Sequence, residues 1–146
     1  MKTILILVLF LLGTLLIGCA HQQQSSQQSL YERIGGHDAL TVIVSETIDK
    51  VAYDPKTKRS FEGIKLTTLK ESIVSQLCYL TGGGCKYEGE TMKNAHADAK
   101  ITTAEFELMV QALRDSLNRH TGEREKNELL KILAPMKADI VYSPAS

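Results

Sequence analysis

Four runs of apolar residues spaced at the 3.6-residue period of a helix, separated by glycine clusters, account for nearly all the hydrophobic patterning between Leu30 and Val141. After Gly35-Gly36, the residues Leu40, Ile43, Val44, Thr47, Ile48 and Val51 share one helical face. Leu66, Leu69, Ile73, Leu77 and Leu80 repeat the pattern up to Gly82-Gly83-Gly84, where a helix is expected to end. A third run opens with Thr102-Thr103-Ala104-Glu105, Thr102 and Glu105 standing at capping-box spacing, and continues through Phe106, Met109, Val110, Leu113 and Leu117. The fourth, from about Glu123, carries Leu129, Leu130, Ile132, Leu133, Met136 and Ile140, and Pro135 is expected to bend it. No segment alternates convincingly between apolar and polar residues, so the fold class predicted is all-α.

The segment before these runs has a different composition. MKTILILVLFLLGTLLIGCAH has one charge, then an apolar stretch of about 14–16 residues, shorter than the ~20 that a bilayer-spanning helix needs. Residues 1–18 therefore read as an export signal. Leu16-Ile17-Gly18-Cys19 resembles a bacterial lipobox, which implies that Cys19 is lipidated and becomes the first residue of the mature protein. The absence of aspartate after it, where Ala20 stands, resembles the pattern for sorting onward to an outer membrane. The expected localisation is thus exported and lipid-anchored, on the periplasmic side of a bacterial membrane. HQQQSSQQS follows, with nothing apolar to bury, so 19–29 is expected to be the lipidated cysteine and a flexible tether. Residues 30–146 then form one domain.

Lys2 is the only charged residue of the first 18, so the remainder has 16 basic against 17 acidic residues. With no basic run, nucleic acid is excluded as a partner, and an anionic membrane surface is not an electrostatic target. Attachment to a membrane would come from the lipid alone.

Two connections are too long for a plain four-helix bundle. Residues 52–65 (AYDPKTKRSFEGIK) are mostly polar yet carry Phe61; residues 82–101 contain three glycines and a single short helical piece around Thr91 to His96. Such lengths suggest helices arranged around something. On that short piece Met92 and His96 are four apart and share a face, and Met92 is the large apolar residue that would turn it inward. An inward histidine is either a metal ligand or a core residue whose ring must find a hydrogen-bond partner, because an unpaired buried nitrogen costs roughly 1–3 kcal/mol. Zinc chemistry is poorly supported: there is no His-Glu-x-x-His and no Cys-x-x-Cys, and His21, His37 and His120 are scattered. A single axial histidine over an apolar cavity is all that a non-covalent haem requires of a protein.

In order along the chain, Ser29-Leu30-Tyr31-Glu32-Arg33-Ile34-Gly35-Gly36, Phe61 with Gly63, Gly82-Gly83 followed by Tyr87 and Gly89, Met92-Lys93 with His96, then Ile101 and Phe106 resemble the group I truncated haemoglobins. The resemblance implies a shortened globin in which two antiparallel helix pairs sandwich a b-type haem. It places His96 as the proximal iron ligand, Phe61 against the porphyrin, and Tyr87, Met92, Ile101 and Phe106 along the proximal side. Each of these could also be ordinary core.

This chain departs from the family pattern on the distal side. Members commonly carry a tyrosine near the end of the first core helix and a glutamine or other polar residue on the next; Ile48, Leu69 and Ile73 stand at those positions here. An aliphatic pocket lacks the donor that stabilises the partial negative charge on bound dioxygen, whereas carbon monoxide and nitric oxide depend far less on one. The family's Gly-Gly-Pro turn has Gly84 in place of proline, and Cys85 follows it. Cys78 and Cys85 could be bridged, since the glycines allow the chain to fold back, or could be two free thiols.

The function expected is a lipid-anchored haem protein that binds diatomic gases (dioxygen, carbon monoxide and nitric oxide), rather than an enzyme. Nitric oxide detoxification or peroxidase-like chemistry at the same iron is the alternative, and the aliphatic distal set opposes it. A globin fold that has lost haem and serves as an interaction module is the second alternative.

Overall fold

The computed structural model describes residues 28–143. The export signal 1–18, Cys19 and residues 20–27 of the tether lie outside the described residues. Its helices, in order, are α1 (Leu30–Ile34), α2 (Gly36–Tyr53), α3 (Leu66–Leu80), α4 (Met92–His96), α5 (Thr103–His120), α6 (Glu123–Leu133) and α7 (Lys137–Ile140), with 3-10 turns at Lys58–Phe61 and Ala134–Met136. The only β-type pairing among the described residues is an isolated parallel bridge between Ile101 and Val141. The all-α expectation holds.

Ser29, assigned to the tether by composition, instead caps α1. Its hydroxyl accepts from the Glu32 amide and the Glu32 carboxylate accepts from the Ser29 amide. A cap of this kind is worth roughly 1 kcal/mol. The five-residue α1 then stops at Gly35, whose φ of +111° is strained for any residue with a side chain, and α2 begins at once. The sequence-level capping box of α5 forms as expected, and Pro135 falls in the 3-10 turn that separates α6 from α7.

The core is built on α2. Leu40, Ile43, Val44 and Ile48 are almost completely buried, joined by Val74 and Leu77 of α3, Leu117 of α5 and Leu129 of α6. α2 packs along both α3 and α5, and α1 closes against α6. The two long helices that flank α2 are also tied to it by charge: Lys70 on α3 pairs with Asp49, and Lys50 with Asp115 on α5.

A polar cluster sits between α2 and α5. The Glu46 carboxylate accepts from the buried Ser116 hydroxyl (2.7 Å), from Arg119 (2.6 Å) and from His120 Nε2 (2.9 Å). Those hydrogen bonds, Ser116 first, hold its pKa near 2 against an ordinary 4.5. An unfolded Glu46 binds its proton at higher pH than the folded one, so its contribution is complete above pH 4.5 and is lost as pH falls toward 2. Because the carboxylate is about a third exposed, Glu46→Gln should destabilise the fold at neutral pH by only ~1 kcal/mol. Urea midpoints should show a shallower pH dependence between 4.5 and 2 in that variant than in the parent.

Cys78 and Cys85 form a disulfide with Cα atoms 5.7 Å apart, which answers the question left open by the sequence. It staples the end of α3 to the segment that leads toward α4. Closing so short a loop is worth ~2.5 kcal/mol in the chain-entropy account. Gly83 makes room for it: a Cβ there would lie 2.5 Å from Cys78 Sγ and 2.7 Å from the Tyr31 ring.

Candidate functional site

α4 is a single short turn, started by Thr91, whose side chain accepts from the Asn94 amide. It presents His96 half-buried in its last turn, as the Met92–His96 spacing implied. His96 Nδ1 lies 2.8 Å from the main-chain oxygen of Met92. A carbonyl can only accept, so Nδ1 must carry a proton and donate it, and in the neutral ring Nε2 keeps its lone pair. This contact supplies the partner that the sequence did not name, and it leaves the other nitrogen free to act as a donor atom toward a metal. Among the described residues, no group of three or more His, Cys, Asp or Glu side chains could hold a metal ion on its own. Any metal bound by His96 would therefore arrive with most of its ligands supplied by a cofactor.

Elsewhere on the fold, large apolar side chains are incompletely covered. On α3, Val74, Leu77 and Cys78 are buried, whereas Leu66, Leu69 and Ile73 remain half-buried along the first two turns. On α5 the same division separates buried Ala112, Ser116 and Leu117 from half-buried Phe106, Met109 and Leu113. Phe61, Ile132 and Leu133 complete a set of large apolar side chains that rest on the core without being enclosed by it. α3 takes its main helical packing from α2, and α4 takes its own from α7. Apolar stripes left open on helices that do not pack on each other are suited to a flat hydrophobic group, and the donor atom at His96 Nε2 suits an iron porphyrin. A depression of about 270 Å³ shares Phe61 and Leu66 with this set, but its walls do not include His96.

The expected site residues fall as follows. Ile48 is almost wholly buried on α2, within the core cluster. Leu69 and Ile73 lie one helical turn apart on α3, both half-buried and packed on that cluster. Met92 supplies the carbonyl for His96, and its sulfur is 3.8 Å from Gln76 Nε2 on α3. Tyr87 is half-buried, its hydroxyl donating to the Glu90 carbonyl at 3.2 Å. Ile101 is buried where the main chain pairs with the C-terminal segment, the Tyr142 amide donating to its carbonyl. Phe106 is half-buried, with the Lys137 ammonium 5.5 Å from its ring centre.

The sequence did not single out Arg59 and Glu105 as a pair. Glu105 is buried, and its carboxylate accepts from Arg59, from the Ser60 hydroxyl, and from both the amide and the hydroxyl of Thr102. Burial alone would raise its pKa; the bonds from Thr102, Arg59 and Ser60 outweigh that and lower it. Only the capping-box spacing of Thr102 and Glu105 was visible beforehand. Nearby, Lys100 adopts a φ of +46°, a left-handed conformation that costs a side-chain-bearing residue roughly 1–2 kcal/mol.

Comparison with known proteins identifies the family and the fold. The family model for bacterial-like globins matches residues 29–142. A group 1 truncated haemoglobin of Mycolicibacterium paratuberculosis is 32% identical over 127 residues, covering 86% of this chain and 93% of that one. One from Chlamydomonas moewusii is 29% identical over 119 residues, 80% of this chain and 70% of its own. Among solved structures, the truncated haemoglobin of Tetrahymena pyriformis in its Fe(III) form superimposes with a TM-score of 0.73, covering 80% of this chain and all of that one at 24% identity. The 2/2 haemoglobin of Synechococcus, in the cyanomet state with covalently attached haem, gives 0.72 at 24% identity, over 78% of this chain and 98% of its own. At that identity the two structures speak to the fold. Taken with the family match across the whole folded region, they establish that this chain belongs to the bacterial-like globins, as a group 1 truncated haemoglobin with the two-over-two helical fold.

Proposed function

We propose that this globin binds a b-type haem through His96 Nε2 and takes up diatomic gases (dioxygen, carbon monoxide and nitric oxide) on the opposite face, while a lipid on Cys19 holds it to a bacterial membrane. The observation that carries the haem proposal is the bond from His96 Nδ1 to the Met92 carbonyl, which fixes the ring and leaves Nε2 as a lone-pair donor. When bound, the haem supplies the iron at which a gas coordinates. The protein supplies the imidazole, the apolar walls that exclude water, and the choice among gases.

Ile48, Leu69 and Ile73 form the aliphatic distal set and offer nothing that donates to a gas. Three polar side chains on the same helices are committed elsewhere: Thr47 to the Ile43 carbonyl, Lys70 to Asp49 and Gln76 toward Met92. A ligand that gains negative charge on binding finds no donor here, so carbon monoxide and nitric oxide are favoured relative to dioxygen.

Export is supported by the Cys78–Cys85 disulfide, a bond that persists outside reducing compartments. No helix among the described residues is long and apolar enough to cross a membrane; in this reading the attachment is the lipid on Cys19. Titrating the full chain with haemin tests the haem reading: a sharp Soret band saturating at one haem per chain is expected, and a chain that stays colourless overturns it. In cell fractionation, the chain should follow the membranes and Cys19→Ser should not. Equal partitioning of the two would overturn the anchor.

A further inference from the structure

We propose that Arg59 and Glu105 are positioning residues, forming a latch that ties the turn presenting Phe61 to the corner just after His96 and so sets where the proximal imidazole stands. The proposal rests on haem ligation by His96. Arg59 lies on the 3-10 turn Lys58–Phe61, two residues before Phe61. Its guanidinium reaches across the fold to the other connection, donating to the carbonyls of Ala99 (3.4 Å) and Lys100 (3.1 Å), three and four residues after His96. The same group donates to Glu105 at the start of α5 (2.5 Å), and the neighbouring Ser60 hydroxyl donates to the other Glu105 oxygen (3.2 Å).

This set of bonds joins three stretches that the chain order keeps apart. The turn that carries Phe61 and the corner that follows His96 are both tied, through Arg59, to a single buried carboxylate. The corner between His96 and α5 is held at its far end by buried Ile101, whose carbonyl accepts from the Tyr142 amide; before that it contains the left-handed Lys100, and the Ala99 amide is bonded back to the His96 carbonyl, so the side-chain tie on residues 99 and 100 comes from Arg59. At the opposite end, the disulfide anchors the start of the same segment. The stretch carrying His96 is thus strung between a covalent tie and an ionic one. Arginine suits the second role because a planar fork can serve two carbonyls and a carboxylate together, which an ammonium cannot do with fixed geometry.

The test uses Arg59→Ala and Arg59→Lys in the full chain, with Glu105→Gln as a third variant that keeps a capping-box side chain at that position. In the haem-free protein, amide exchange at residues 99–101 should accelerate by ~5- to 30-fold in Arg59→Ala, the opening expected when a local tie is lost. In the haemin-loaded protein, transfer of haemin to an excess of a scavenging apoglobin should speed up about tenfold or more. In the ferrous form the iron–histidine stretching band should shift or broaden. Arg59→Lys and Glu105→Gln should fall between Arg59→Ala and the parent on every readout. Unchanged amide exchange, haemin transfer and iron–histidine band in folded Arg59→Ala would overturn the latch; should that variant not fold, parent-like values in Arg59→Lys and Glu105→Gln would do so. A parent chain that takes up no haemin would overturn the haem reading instead, and the amide exchange would still decide whether Arg59 holds the corner.

Discussion

His96→Ala should abolish the Soret band of the haemin-titrated chain and weaken haemin uptake by more than ~100-fold, beyond the 10- to 100-fold that losing only an outer-shell partner of a metal ligand costs. The reason is the division of labour inside α4. Met92 donates no ligand of its own but its carbonyl holds Nδ1–H, so the ring is already fixed, with Nε2 keeping its lone pair, before any cofactor arrives. Among the described residues no cluster of ligating side chains offers a substitute. Because His96 is half-buried at the end of a five-residue helix, removing its ring leaves the core on α2 intact, and the variant should unfold in urea close to the parent midpoint. Free imidazole added to His96→Ala should restore part of the band by entering the space the ring vacates. A Soret band of full intensity in His96→Ala without imidazole would show that iron is held elsewhere.

The second large effect is expected on the distal side. Ile48→Tyr should slow dioxygen release from the ferrous protein by ~10- to 150-fold, the factor that a hydrogen bond of 1.5–3 kcal/mol to a charged acceptor confers. Carbon monoxide release should change far less, since that ligand gains little charge. Ile48 is almost wholly buried, so a larger ring at this position also overpacks the core, at a cost of roughly 1–3 kcal/mol in stability. Ile73→Gln, at a half-buried position on α3, introduces a donor with less crowding and should move dioxygen release in the same direction. Stopped-flow displacement of dioxygen by carbon monoxide measures both variants. A parent protein that already releases dioxygen as slowly as Ile48→Tyr would refute the account of an apolar pocket.

The disulfide and the Arg59–Glu105 latch hold the ends of the same proximal segment. A short helix of five residues has little intrinsic stability, because helix nucleation is costly and few bonds follow it. Its position comes from its packing on α7 and from what fixes its flanks. In this protein the flanks are fixed by Cys78–Cys85 on one side and by Arg59 against the Ala99 and Lys100 carbonyls on the other.

Much of this architecture was legible in local sequence. Helices α2, α3, α5 and α6 follow from apolar spacing, and the start of α5 from the Thr102–Glu105 box, because helices are governed by neighbours within about four residues. The same rule could have found α1: Ser29 and Glu32 have the spacing of a capping box, overlooked beside a glutamine-rich tract. His96 Nδ1 meeting the carbonyl four residues earlier is also a local contact. His96 stands on a short helix, as the spacing predicts, and the Met92 carbonyl is the partner that the sequence does not name.

Tertiary structure decided the rest. Arg59 and Glu105 are 46 residues apart, and Glu46 and Ser116 are 70 apart; neither pairing leaves a mark in spacing, because each depends on how the helices cross. Cys78 and Cys85 were close enough in sequence to suggest a bridge, but only the fold of the Gly82–Gly84 turn brought their Cα atoms to 5.7 Å. The chain's own order thus determined where the long helices run and which histidine stands on the short helix α4. The packing of those helices on α2 decided which distant side chains meet, since contact across a core depends on the relative position of whole elements and not on any residue's neighbours along the chain.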